Sequence, residues 1–200
     1  MKNVKRKKPK YIIGIDEVGR GPLAGPVAVG AVLATRSALS KFRTIKESKQ
    51  LTPKAREEWA REIHAKISEE FRVSVKMVRA KRIDKIGIVP AIREALEAAL
   101  TALHVSPEDC MILLDGGLRA PEKYIAQKTI IRGDASETVI AMASVVAKVH
   151  RDRHMVKLHK KYPEYGFATH KGYGTKKHCE AIKKYGLSLE HRKTFCSKIR

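Results

Sequence analysis

Two rhythms of apolar and polar residues run along this chain. YIIGI, residues 11–15, is a short apolar run that reads as a buried strand. PVAVGAVLA, 26–34, reads as a second strand, and the glycine-rich GRGPLAG between them as a turn, so the two predict a hairpin. FRVSVKMV, 71–78, has period two: Phe71, Val73, Val75 and Met77 point one way and Arg72, Ser74 and Lys76 the other, as in a half-exposed edge strand. CMILLDGG, 110–117, and IAQKTII, 125–131, complete the strands. Helical spacing appears over 54–71, where Trp59, Ile63 and Ile67 recur every four residues behind a cap-like Thr52–Pro53. It returns over 88–104, with Ile88, Ile92, Leu96, Leu100 and Leu103 on one face, and from about 136 to 161. The first half of that last helix, ETVIAMASVVAKV, is small and apolar and predicts tight packing; the second half is basic and predicts exposure. The tail from 162 to 195 reads as loop-rich, basic and aromatic. This order predicts an α/β fold with a mixed central sheet flanked by helices, since a hairpin argues against a purely parallel sheet.

Charge changes the picture. The 200 residues carry 42 Lys plus Arg against 21 Asp plus Glu, a formal charge of +21, and pI is near 10.1. Such a surface attracts polyanions, with nucleic acid first among them. Residues 2–10 hold a dense run of Lys and Arg and read as a flexible basic arm (1–10), leaving 11–200 as one domain. The three cysteines are far apart and odd in number, which argues against a disulfide framework or a thiolate zinc site. Neither a signal-peptide pattern nor an apolar run of membrane-spanning length is present. The expectation is a cytoplasmic protein that does not associate with membranes.

Against that positive background, three apolar runs end in acid. IIGIDE ends at Asp16 and Glu17, MILLDGG at Asp115, and TIIRGD reaches Asp134 just before a helix. Carboxylates bordering buried strands are costly unless paired, and gathered at one sheet edge they would repel each other. A hard divalent cation such as Mg²⁺ resolves this, and a pair of such ions supports phosphodiester hydrolysis. Each acid also has a simpler reading: Asp115 as a turn residue, Asp134 as a helix cap, Asp16–Glu17 as a salt-bridged pair. Neighbouring strand residues point to opposite faces, so Asp16 and Glu17 share a site only if the strand ends or bends there.

Candidate donors for an anionic partner accompany the acids. Arg20 lies between Gly19 and Gly21, where backbone amides and a guanidinium can approach a phosphate or sugar together. KESKQL offers Lys46, Ser48 and Lys49 in an apparent loop. Tyr173 in HKGYG can stack on a base or sugar, and His170 can contact phosphate or manage a leaving group. A P-loop, a dinucleotide fingerprint, a GxSxG elbow, a zinc HExxH and RNA-binding aromatic signatures are all absent.

Taken together, GIDEVGRGPLAGPVAVGAV, KESKQL, LLDGG, IIRGDASETVIAMASVVAKVHRD, YPEYGFATHKGYGTKKH and HRKTF resemble the ribonuclease HII family in order, from residue 11 to 195. The resemblance implies a ribonuclease H-like fold. It implies hydrolysis of the RNA strand of RNA–DNA hybrids and cutting on the 5′ side of single ribonucleotides embedded in duplex DNA, leaving 3′-hydroxyl and 5′-phosphate ends. It implies Mg²⁺ or Mn²⁺, two ions during catalysis, held by Asp16, Glu17, Asp115 and Asp134. It implies that Gly19, Arg20 and Gly21 sense the 2′-hydroxyl, that Tyr173 packs on the neighbouring deoxyribose, and that Lys46, Ser48 and Lys49 lie on a phosphate-contacting loop. A monomer acting on hybrids and ribonucleotide-containing duplexes is expected. The family pattern has Asp where this chain has Glu47, and Glu where it has Arg82. The C-terminal helices of some relatives are also missing, and the basic arm is expected to compensate.

Overall fold

The computed structural model describes residues 8–42, 44–45 and 48–199. Most of the basic arm, Lys46 and Glu47 lie outside these residues.

Elements follow in chain order: β1 Tyr11–Val18, β2 Val27–Ala34, α1 Arg36–Leu39, α2 Pro53–Ala65, β3 Phe71–Val78, α3 Ala80–Ile86, α4 Ile88–Thr101, β4 Cys110–Asp115, β5 Gln127–Ile130, α5 Gly133–Ser136, α6 Thr138–Lys161, α7 Phe167–His170 and α8 Lys176–Tyr185. The strands form one sheet in the order β3-β2-β1-β4-β5. The β3-β2-β1 part is antiparallel, while β1-β4 and β4-β5 are parallel. The sheet is therefore mixed, as the hairpin pattern predicts.

Burial follows from this layering. Strand β2 is buried along its whole length, so its sequence is apolar throughout rather than alternating. On one face Ile13, Ile15, Val29, Ala31 and Leu33 meet the α4 stripe of Ile92, Leu96 and Leu100. On the other, Val32 and Ala34 meet α6 and the Ile63 face of α2. A third cluster joins Ala24, Met155, Leu158, Phe167 and Ile182 beyond the end of the sheet.

Glycine sets how closely α6 lies on the sheet. A Cβ at Gly14 would stand 2.3 Å from the Val139 carbonyl, and one at Gly30 2.3 Å from the Ala143 oxygen. Helix backbone therefore rests on strand backbone at both positions.

Several local expectations need correction. Strand β1 continues to Val18 instead of stopping at Ile15, because Asp16, Glu17 and Val18 all pair with β2. Helix α2 ends at Ala65, short of Phe71: Lys66 leaves helical geometry, Ile67 is exposed, and Phe71 is already paired with Ala34. Edge strand β3 alternates as expected and Lys76 is exposed, but the rest of its polar side is partly covered. Ser74 is buried under α4, and the Arg72 guanidinium donates to the carbonyls of Leu103 and His104. The second half of α6 is not uniformly exposed, since Arg151, Met155 and Leu158 are buried. The tail contains α8, capped by the Thr175 hydroxyl, which accepts from the His178 N–H.

Candidate active site

Register brings the first acids together. The parallel pairing of β1 and β4 runs from Tyr11↔Cys110 to Ile15↔Leu114, so the next residues outward are Asp16 and Asp115. Both lie on the α6 face, opposite the side taken by Ile15 and Leu114. Asp115 Oδ1 accepts from the Gly133 N–H at 2.7 Å, tethering the start of α5, which carries buried Asp134. Glu17 leaves the strand on the other face, beside Val29. The strand neither ends nor bends at Asp16, yet Asp16 and Glu17 still sense each other and Asp115 electrostatically at the sheet's end.

Asp16 is 6% exposed. Burial pushes its carboxyl up to about 7; the Ser144 hydroxyl bonded to it opposes that, and the charges of Glu17, Asp115 and Asp134 add to it. Glu17 is raised as well, mainly by burial, with Arg20 opposing from 3.6 Å. Ser144 also bonds Ser48 Oγ at 2.8 Å, so a hydroxyl chain runs from the KESKQL loop to Asp16. The Lys49 ammonium lies 3.4 Å from Asp134 Oδ2. Ser144 escaped the sequence reading; its signal is a lone hydroxyl inside the apolar AMASVV run.

Among the described residues, no three His, Cys, Asp or Glu side chains form a closed metal-binding group. The donor chemistry nevertheless fits a hard cation. All four acids offer oxygen only, and Asp16 is pushed up to about 7 by burial and by the neighbouring acids, a penalty that a cation among them would offset.

Arg20 is exposed at the turn after β1, and Tyr173 is 43% exposed on the 170–174 loop. The two loops are stitched together: the Leu23 and Ala24 N–H groups donate to the Gly172 carbonyl at 2.8 and 3.3 Å. His170 does not present a free nitrogen. Its Nε2 donates to the Tyr165 carbonyl at 2.7 Å, and its Nδ1 accepts from the Gly172 N–H at 3.2 Å. Beside the site, between α2 and α6, a groove of about 720 Å³ is lined by Arg56, Lys148, Arg153, Lys157, Lys160 and Lys171 with Glu57 and Asp152.

Behind Tyr173 sits a neutral histidine pair with a fixed hydrogen-bond direction. His178 Nδ1 donates to the Tyr173 carbonyl at 2.9 Å, so its Nε2 accepts from His191 Nε2–H at 3.1 Å. His191 Nδ1 then accepts from the Ser188 amide at 2.9 Å. Burial first, then neighbouring histidine charge, pushes both rings down to about 4. The unfolded chain takes up these protons near pH 6.5, so the stability that the neutral pair contributes is complete above that pH and is lost as pH falls toward 4. Chemical denaturation at pH 7.5 and 5.0 should show a loss of roughly 2 kcal/mol per ring. Replacing His178 and His191 together by Asn should flatten this slope; an unchanged slope would show that other groups carry it.

Fold and site define a class: an α/β protein with an acidic cluster at the end of a mixed sheet, beneath a cationic surface. The model of the family described as Ribonuclease HII matches residues 13–199. A Ribonuclease HII from Caldicellulosiruptor bescii is 44% identical over 190 residues, covering 95% of this chain and 88% of that relative. One from Chlamydia trachomatis is 45% identical over 186 residues, covering 92% and 81%. The crystal structure of ribonuclease H2 from Pyrococcus horikoshii superposes with a TM-score of 0.76 at 27% identity, over 94% of this chain and 96% of that one. The chain belongs to the ribonuclease HII family. It is a metal-dependent endoribonuclease that cleaves RNA in RNA–DNA hybrids. Among the described residues, no helix is long and apolar enough to cross a membrane.

Proposed function

We propose that this enzyme cuts on the 5′ side of single ribonucleotides embedded in duplex DNA, with Asp16, Glu17, Asp115 and Asp134 as the carboxylates at the reacting phosphate. The observation that carries the assignment is the β1–β4 register, which sets Asp16 beside Asp115, joined to the Gly133–Asp134 turn by a hydrogen bond. The four acids would hold Mg²⁺ or Mn²⁺, one ion or two, and the bound cation supplies Lewis-acid polarisation and charge neutralisation. The protein's part is positional. Strand pairing fixes Asp16 and Asp115, and Ser144 orients the Asp16 carboxylate. Ser48 and Lys49 border the acids, touching Ser144 and Asp134, and with Lys46, which lies outside the described residues, they would contact the phosphate.

In the hydrolysis, water oxygen bonds to phosphorus and the bond from phosphorus to the upstream 3′-oxygen breaks. That leaves a 3′-hydroxyl on the upstream strand and a 5′-phosphate on the ribonucleotide. The ribonucleotide's own 2′-hydroxyl lies downstream of the broken bond, so it serves recognition and not attack. Gly19, Arg20 and Gly21 would read it, and Tyr173 would pack on the adjoining deoxyribose, on two loops already hydrogen-bonded to each other. The α2–α6 groove offers its cations to the flanking backbone. All three cysteines are free thiols, which suits a reducing compartment such as the cytoplasm, and a single copy of residues 11–200 supplies every group in this scheme.

The test is cleavage of an end-labelled DNA duplex carrying one ribonucleotide, beside a continuous hybrid. The expected product is a single cut 5′ of the ribonucleotide. Arg20→Ala should slow it by about 100-fold, with duplex affinity changed by less than about 3-fold, because a site built to bond a hydroxyl discriminates at the transition state. Absence of cutting at the embedded residue, or equal losses in rate and affinity, would defeat the reading.

A further inference from the structure

Two arginines are fully buried, Arg151 on α6 and Arg192 in the C-terminal HRKTF segment. Neither has a carboxylate within ion-pair distance among the described residues. Their partners are backbone carbonyls from the two loops that flank the acids. Arg192 Nη2 donates to the Gly19 carbonyl at 2.7 Å, Nη1 to Arg20 at 2.9 Å and Nε to Gly25 at 3.0 Å. Arg151 Nε donates to the Pro26 carbonyl at 2.9 Å, and Nη2 to Ala24 at 3.4 Å and Lys171 at 3.0 Å. Arg151 thus spans both loops. Its guanidinium carbon lies 6.0 Å from the Tyr173 ring centre, and Gly19 lies so close above its side chain that a Cβ there would stand 2.1 Å from Nε.

The HRKTF segment is itself pinned. Asp84 on α3 accepts from the Lys193 and Thr194 N–H groups at 2.9 and 3.1 Å, and the Arg192 N–H donates to the Leu23 carbonyl at 2.7 Å. Two unpaired buried charges are an expensive way to fill space; apolar side chains of similar volume would stabilise a core as well or better. What only a guanidinium supplies is a planar fork of donors that fixes several carbonyls at once.

We propose that Arg151 and Arg192 are positioning residues: Arg192 fixes the shape of the 19–26 loop, and Arg151 ties that loop to the 170–174 loop. They fix Arg20 relative to Tyr173, so that discrimination between ribonucleotide and deoxyribonucleotide depends on two side chains that touch neither. This rests on the assignment of Arg20 and Tyr173 as the groups that read the sugar. It gives the HRKTF and KVHRD segments a function: they carry the forks that hold the reading loops.

The experiment is a double-mutant cycle on the full chain with the single-ribonucleotide duplex. Arg192→Lys keeps the charge and loses the fork. It should lower kcat by about 10-fold or more with KM changed by less than about 3-fold. In an Arg20→Ala background the same substitution should cost less than about 3-fold, because the group it positions is gone. Arg151→Lys should behave the same way against Tyr173→Ala. Independent, multiplying effects, or full activity in both lysine variants, would overturn the proposal. If Arg20→Ala alone has no effect, the underlying sugar-reading assignment fails; an intact Arg20→Ala effect with a multiplying Arg192→Lys effect removes only the present proposal. Arg192→Met serves as the second variant should the lysine form not fold, and failure of both to fold would assign the residue to stability and overturn the idea.

Discussion

Asp16→Asn is expected to abolish cleavage, by about 10³-fold or more, while leaving duplex affinity within about 3-fold of the parent. The two halves of this result have different sources. Affinity comes from the cationic surface, which the substitution does not touch. Rate comes from a carboxylate placed by strand register next to Asp115. A further consequence separates this from simple damage. In the native chain Asp16 is held up at about 7 by burial and by the charges around it. A raised carboxylate pKa means that the ionised group opposes folding: the penalty is full above about pH 7 and disappears as pH falls toward the ordinary carboxylate value. With metal chelated at pH 8, the Asn variant should therefore melt higher than the parent, with an upper bound of about 4 kcal/mol from one pKa displacement of that size. That advantage should shrink to nothing by about pH 4. Adding Mg²⁺ or Mn²⁺ should raise the parent's Tm and leave the variant's unchanged. Cleavage surviving in saturating Mg²⁺, or a variant that melts lower than the chelated parent at pH 8, would reject the role given to Asp16.

The sequence carried much of this because the strands are buried. An all-buried strand such as VAVGAVLA is written in apolar residues without interruption, and an aspartate that closes such a run is conspicuous. The same logic located Asp115. What could not be read is alignment. Asp16 and Asp115 are neighbours only through parallel pairing of segments about a hundred residues apart, and no local pattern encodes that offset. Nor could the sequence tell that β1 runs on to Val18, because charged residues at a strand's end look like a stop signal whether or not the backbone continues to pair. Helix α8 was missed for a different reason. KKHCEAIKKY is amphipathic, with His178, Ala181 and Ile182 buried on one side and lysines on the other, but the helix is short and sits in a tail whose glycines, lysines and aromatics read as loop. Arg151 fell in the half-helix expected to be exposed, and Arg192 drew no reading of its own. An arginine is buried only when carbonyls from elsewhere converge on it, and those belong to loops that the sequence leaves unplaced.

The acidic cluster depends on a distance set by two missing side chains, and Gly30→Val is expected to show it. Gly30 pairs directly with Asp16 and faces the same helix. A Cβ at Gly30 would be 2.3 Å from the Ala143 oxygen and 3.0 Å from the Ala147 Cβ. The first of these is backbone in the middle of α6, which cannot rotate away as a flexible side chain would. The helix must lift as a body or the strand must give way. Overpacking of this kind costs about 3 kcal/mol, enough to lower Tm by roughly 6–12 °C in a chain of this size. The displacement falls where it matters most, since Ser144 follows Ala143 directly and bonds both Asp16 and Ser48. Activity measured well below the lowered Tm should therefore also fall, by about 10-fold or more, with duplex affinity retained. Gly21→Val is the control, because a Cβ there meets nothing within 4 Å, and its Tm should stay within about 2 °C of the parent. A Gly30→Val protein that melts like the parent would mean that α6 does not rest on the sheet at Asp16, and the geometry assigned to the acids would go with it.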